Sequence, residues 1–247
     1  MNTRNLAWTT ALPPAATRTF WTDLFGSGRE HVFDRQLAEA TGGGLVFTYS
    51  SWVGALYDIL RNLKLLRPGL DEVILPSYAC AEFVFAAKSA GLTPVYYDLD
   101  CSLLPRMDAI ESQITERTLA VLAVNNVGAF SDLAGIRDLC KRHGVFMVED
   151  ATYTLGGLYK REVPAGSLGD AAIANFSEGK ALPVGGGAAL INAPPLRESY
   201  QRLQLVASGP CWQDRIRGRL DGMLYKLGTS RLGYSAFHAV KRCRVGD

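Results

Sequence analysis

Short apolar runs alternate with amphipathic stretches through the middle of the chain, and this alternation is the clearest signal the sequence carries. The runs LVFTYS (45–50), DEVILP (71–76), TPVYYDLD (93–100), LAVLAVN (119–125) and VFMVED (145–150) have the length and character of buried strands. Between the first two, residues 51–64 place Ala55, Leu56, Ile59, Leu60 and Leu63 on one side of a helix. AEFVFAAKSAG reads as a helix stopped by Gly91, and further helices are predicted from Asp108 and over 132–143. Strands that alternate with helices need crossover connections, so the expected fold is α/β, a three-layer sandwich around a mostly parallel central sheet. After Asp150 the pieces shorten, and AAIANFS and GAALIN read as closely spaced strands around a loop that holds Lys180.

The flanks differ from this middle. Residues 1–30, interrupted by Pro13-Pro14 and Gly26-Ser27-Gly28, predict an irregular arm with one short helix. A helical pattern begins at Val32 and Thr41-Gly42-Gly43-Gly44 stops it, so residues 31–195 form the large domain. Residues 196–247 read as two helical segments, 196–207 and 212–227, in a tail with ten Lys/Arg against four Asp/Glu. Such a tail could meet phosphates or anionic lipid, and a solvated helix face is the simpler reading.

Composition then narrows the classes. A chain of 247 residues with 48% hydrophobic content can bury one sizeable core, and a net charge of +2 does not suit a nucleic-acid binder. Five cysteines form no CxxC pair and no zinc-like spacing, which implies a reduced, cytoplasmic protein. No stretch approaches the roughly 18 apolar residues of a membrane span, and the first residues lack the apolar run of a signal region. His31, His143 and His238 are scattered, so no metal site is expected.

Open parallel sheets bind ligands where the carboxyl ends of their strands meet the loops, and Ser51, Tyr78, Asn125, Asp150 and Asn175 all fall there. A carboxylate at a strand end can hold a pyridinium nitrogen, and an amine such as Lys180 can attach the same cofactor covalently. Either residue alone has an ordinary explanation: a strand-end carboxylate often caps the next turn, and a Lys beside glycines is often solvated. Gly185-Gly186-Gly187 follows the Lys rather than preceding it, so it is no Walker loop, and it lets the chain turn sharply.

Taken in order, the turn and helix at Ser51, the strand ending in Pro-Ser-Tyr, the strand before Asn-Asn-Val-Gly, Asp150 and Lys180 resemble the DegT/DnrJ/StrS family of pyridoxal phosphate-dependent sugar aminotransferases. The resemblance covers roughly residues 30–192 and implies the large domain of the type I, aspartate aminotransferase fold. It implies pyridoxal 5'-phosphate as cofactor, with Lys180 carrying it and moving protons, and with Asp150 keeping the ring nitrogen protonated. Ser51-Trp52-Val53-Gly54-Ala55-Leu56 stands where the family has Ser-Gly-Thr-x-Ala-Leu, whose amides and hydroxyl bind the cofactor phosphate. Trp52 and Val53 replace the Gly and Thr, leaving Ser50 or Ser51 to supply a hydroxyl. Asn175 takes the place of a phosphate-binding Ser, with Ser177 nearby as a substitute. Cys80 occupies the position of an aromatic that often stacks on the ring, with Tyr78 two residues before it, and Tyr153 stands where a Gln or His is frequent.

The same resemblance implies a homodimer, an amino acid donor such as glutamate, and a nucleotide-linked keto sugar as acceptor. Lys180 separates the chain from related dehydratases that lack this lysine. Family members carry a C-terminal small domain whose strands are not found before Asp247, so the expectation is either a fragment of a longer chain, with residues 196–247 the start of a truncated small domain, or a short form whose basic tail substitutes for the lost part. Two readings stand at this stage: a pyridoxal phosphate-dependent aminotransferase, with a non-sugar acceptor also open, and a degenerate, non-catalytic relative that keeps the fold for binding or assembly.

Overall fold

The computed structural model describes residues 30–204 apart from 178, 183 and 184. The arm predicted over 1–30, save its last residue, the tail beyond 204 and the helical segment 212–227 lie outside the described residues. A first helix, α1 (Glu30–Ala40), leads into strand β1 (Leu45–Tyr49), and α2 (Trp52–Leu66) follows directly. Ala55, Leu56, Ile59, Leu60 and Leu63, which recur at helical spacing, are the apolar residues α2 buries.

Strand and helix then alternate: β2 (Glu72–Pro76), α3 (Glu82–Ser89), β3 (Thr93–Tyr97), the short α4 (Met107–Glu111), β4 (Thr118–Val124), α5 (Leu133–His143) and β5 (Phe146–Asp150). Helix α5 shows why these ends are sharp. Asp132 accepts from the Gly135 N–H at its start, Lys141, Arg142 and His143 sit in its last turn, and Gly144 closes it at φ 66°. A small hairpin, β6 (Leu158–Tyr159) with β7 (Val163–Pro164), precedes the antiparallel pair β8 (Ala171–Asn175) and β9 (Gly187–Ile191), and α6 (Pro194–Gln204) follows.

Seven strands make one sheet in the order β1-β9-β8-β5-β4-β2-β3. The pairs β2/β3, β2/β4, β4/β5 and β5/β8 are parallel, while β9 runs antiparallel to both its neighbours. The pleat sends alternate residues to opposite faces. Val73, Leu75, Leu122 and Val148 pack with α2 and α3, whereas Ile74, Val121, Ala123 and Met147 pack with Ile136 and Leu139 of α5. Leu37 of α1 covers Ala172, Ala174 and Leu190. The expected three-layer, mostly parallel α/β fold is therefore present. The hairpin β6–β7 had no forecast in the sequence, because its turn places Lys160 (φ 49°) and Arg161 (φ 65°) where Gly or Asn is the usual marker.

Glu149, beside the candidate Asp150, is fully buried and serves the fold. It points to the opposite face, where its carboxylate accepts from the Gly166 N–H at 2.8 Å and the Leu168 N–H at 3.2 Å. Burial pushes this carboxyl up, and the N–H groups of the 166–169 turn pull it back down. Glu149→Ala orphans both donors in the interior, so we expect a loss of about 3 kcal/mol in urea denaturation. A loss below about 0.5 kcal/mol would remove the carboxylate from this structural role.

Candidate active site

The strand ends that the parallel sheet brings together border a cleft of about 410 Å³. Its lining comes from five stretches: Trp52 at the start of α2, residues 78–80 with Phe83 from the turn after β2 into α3, Val124 and Asn126 at the end of β4, Asp150, Thr152 and Tyr153 after β5, and Asn175 with Lys180 around β8. Of the residues singled out in the sequence, Lys180, Asp150, Trp52, Tyr78, Cys80, Tyr153 and Asn175 line this one space. Ser51, Val53 and Ser177 do not.

Asp150 ends β5 and is 6% exposed. One carboxylate oxygen accepts from the Thr152 N–H at 2.9 Å. Burial pushes the carboxyl up, opposed by the Thr152 hydrogen bonds and by the charge of Lys180. A buried carboxylate this poorly balanced is suited to a cation arriving from outside the chain.

Lys180 rides on a loop closed at its base, where the Phe176 N–H donates to the Gly186 carbonyl at 3.0 Å and the Gly185 N–H to the Phe176 carbonyl at 2.7 Å. Phe176 is anchored edge to face on Phe33, with centroids 5.7 Å apart. The lysine ammonium lies 3.7 Å above the centre of the Tyr153 ring. The glycine run makes this loop compatible with α2: a Cβ on Gly187 would lie 2.5 Å from the Trp52 Cα, and one on Gly186 would strike the Tyr49 carbonyl.

At the start of α2, Ser51 is the N-cap, its hydroxyl accepting from the Gly54 N–H at 3.1 Å. The Ala55 N–H donates to the Ser51 carbonyl, so the Trp52 and Val53 N–H groups are the first-turn donors with no place in the helix ladder. Behind them, the Tyr49 hydroxyl donates to Asp58 at 2.5 Å and ties β1 to the second turn of α2. Asn175 uses its carbonyl oxygen to accept from the Ser177 N–H at 2.9 Å and the Ser177 hydroxyl at 2.5 Å. Its Nδ2 group is thus the part left for the cleft. Cys80 lies 2.5 Å from a Glu82 carboxylate oxygen, and partial burial with that hydrogen bond pushes the thiol up.

Asn125 turns out to be a strut inside the fold. It donates to the Asp150 carbonyl at 3.2 Å and to the Thr154 hydroxyl at 3.3 Å, and accepts from the Ser131 N–H at 3.0 Å. Its neighbour Asn126 reaches the cleft instead, holding the Leu103 carbonyl at 2.9 Å. Thr152, Phe83 and Val124 also line the cleft without having been singled out, because nothing in their local sequence separates them from ordinary core or loop residues.

The pieces fit a pyridine-ring cofactor bearing a phosphate. A buried carboxylate without a strong partner faces the same cleft as a half-buried amine, and a helix N-terminus with open N–H groups stands at its side. Among the described residues no group of His, Cys, Asp and Glu could hold a metal ion, and no helix is long and apolar enough to cross a membrane.

Comparison with known proteins matches this fold. The profile of the DegT/DnrJ/EryC1/StrS aminotransferase family matches residues 14–234. GDP-perosamine synthase of Vibrio cholerae is 27% identical over 207 residues, covering 81% of this chain and 56% of that protein. Helicobacter pylori PseC, an aminotransferase involved in the biosynthesis of pseudoaminic acid, superposes with a TM-score of 0.71 at 21% identity, over 81% of this chain and 57% of PseC. Spr1654 from Streptococcus pneumoniae, solved in its PLP-form, superposes with a TM-score of 0.67 at 25% identity, over 81% of this chain and 59% of its own. The chain spans little more than half the length of these relatives.

Proposed function

We infer that this chain, which belongs to the DegT/DnrJ/EryC1/StrS aminotransferase family, moves an amino group from an amino acid such as glutamate to a nucleotide-linked keto sugar, using pyridoxal 5'-phosphate. The observation that carries the reading is the buried carboxylate of Asp150 in one cleft with the amine of Lys180, at the carboxyl ends of a parallel sheet.

Pyridoxal phosphate, when bound, supplies an electron sink that stabilises negative charge at the amino-bearing carbon. The chain's own groups divide the remaining work. Asp150 would hold the ring nitrogen and favour its protonated form. Lys180 would hold the cofactor and would carry a proton to and from the reacting carbon, a task suited to an amine on a flexible stem. The Trp52 and Val53 N–H groups and the Asn175 amide are the donors available to the phosphate. Tyr153 holds the ammonium of Lys180 over its ring, which keeps the free lysine inside the cleft.

The nucleotide-linked acceptor is favoured by the GDP-perosamine synthase relationship. A non-catalytic relative is not favoured, because a chain kept only for assembly has no use for a buried carboxylate that costs stability. The working unit is taken to be a homodimer, as the family resemblance implies, and the exposed Tyr78 and Phe85 are side chains a second copy would cover.

The test is a visible absorption spectrum of the purified protein with pyridoxal phosphate, before and after glutamate. We expect a lysine-dependent band that bleaches when glutamate is added. A band indifferent to every amino acid tried would overturn the transferase reading while leaving the cofactor in place.

A further inference from the structure

We propose that Trp52 is the aromatic platform against which the cofactor ring packs in this chain. The inference rests on the pyridoxal phosphate reading and concerns how the cleft grips the ring. Four aromatic side chains line the cleft: Trp52, Tyr78, Phe83 and Tyr153. A flat ring held between Asp150 and Lys180 gains most from a neighbouring aromatic face that is braced and still open to it.

Two of the four are committed elsewhere, and a third is unbraced. Tyr153 carries the Lys180 ammonium 3.7 Å above its ring. Phe83 is 4% exposed and spends its contact on Trp52, with centroids 5.2 Å apart and planes at 76°. Tyr78 is 66% exposed at the rim, and no ring or side-chain hydrogen bond braces it among the described residues. Trp52 alone is half-buried, braced on one side by Phe83, and still part of the cleft lining. Its backbone is fixed as well, because Gly187 passes so close that a Cβ there would lie 2.5 Å from the Trp52 Cα and 2.6 Å from its nitrogen. Cys80 does not compete for the role, since its thiol is engaged with Glu82.

One residue would thus serve twice, its N–H toward the phosphate and its indole toward the ring. The opposite possibility is concrete: a large side chain at the first position of α2 could obstruct the helix N-terminus instead of assisting it. The two predict opposite effects when the indole is removed.

The experiment is a pyridoxal phosphate titration of the full chain and of Trp52→Phe, Trp52→Leu and Trp52→Ala. It follows both the Lys180-dependent visible band and the quenching of tryptophan fluorescence, with a thermal melt of each cofactor-free variant as the folding control. We expect Trp52→Phe to bind within about threefold of wild type, because an aromatic face remains. Trp52→Leu and Trp52→Ala should bind about tenfold more weakly, about 1.4 kcal/mol. Quenching on binding should fall sharply in Trp52→Phe although the chain keeps three other tryptophans, Trp8, Trp21 and Trp212. Trp52→Leu, of intermediate bulk, decides the matter if Trp52→Ala fails to fold. Equal or tighter binding by the leucine or alanine variant would overturn the assignment and make Trp52 an obstruction. Absence of any Lys180-dependent band in the wild type is a different result: it would sink the cofactor reading itself, and this assignment with it.

Discussion

Lys180→Ala should lose all covalent, borohydride-reducible pyridoxal phosphate, and amino transfer should fall by about 10⁴-fold or more. Removing a covalent catalytic group from a constellation that works as a unit has effects of that order. Structure argues that the loss is chemical rather than conformational. The loop is closed by backbone hydrogen bonds at Phe176, Gly185 and Gly186, none of which uses the lysine side chain. What the substitution removes from the fold is one cation–π contact with Tyr153, worth about 0.5–1 kcal/mol at a partly exposed site, and the charge that partly offsets the burial of Asp150. The cofactor-free variant should therefore melt close to wild type while mass spectrometry after borohydride detects no adduct. An adduct that persists in Lys180→Ala would move the attachment point to another lysine and dismantle the site as described.

Asp150→Asn separates binding from turnover. Its amide oxygen can still accept from the Thr152 N–H, so covalent attachment at Lys180 should survive. Turnover should not, because a close ion pair at an effective dielectric near 20 is worth about 4 kcal/mol, close to three decades in rate. Stability moves the other way. Burial raises the carboxyl of Asp150 in the cofactor-free fold, and an acid raised on folding contributes stability that is present at low pH and lost as pH rises through its folded value. At neutral pH burying this carboxyl is thus a cost. Asp150→Asn without cofactor should be more stable by about 1 kcal/mol, or a few degrees in Tm, with the gain vanishing below about pH 4, where the wild-type carboxyl is protonated in both states. Unchanged turnover, or a gain in stability that persists at pH 3, would contradict the role given to this carboxylate.

Much of the fold could be read from periodicity. Residues 132–143 read as a helix, whose ends the structure closes with Asp132 and Gly144, and the five buried apolar residues of α2 recur at helical spacing. Buried strands such as Thr118–Val124 are continuous apolar runs because helices cover both sheet faces. The hairpin Leu158–Pro164 was not legible, since Lys160 and Arg161 occupy left-handed positions against their own preference. The site was legible only as an ordered series. Asn125 and Asn126 illustrate the limit: the two are chemically identical neighbours, yet the first is buried in a strut and the second reaches the cleft. A one-residue step at a strand end decides between interior and site, and no local propensity encodes it.

The sequence by itself determined the alternation of strand and helix, the parallel sheet that follows from it, and the order in which a carboxylate and an amine appear at strand ends. These depend on hydrophobic spacing and on turn residues, which act locally. Tertiary structure alone decided that residues as distant as Trp52, Asn126, Asp150 and Lys180 border one cleft. It also decided that Glu149 belongs to the fold and Asp150 to the site, and that Gly187 must lack a side chain because Trp52 lies against it. Those outcomes depend on strand order, on the face to which each side chain is pleated and on backbone approaches of a few ångströms, all of which exist only after the sheet has assembled.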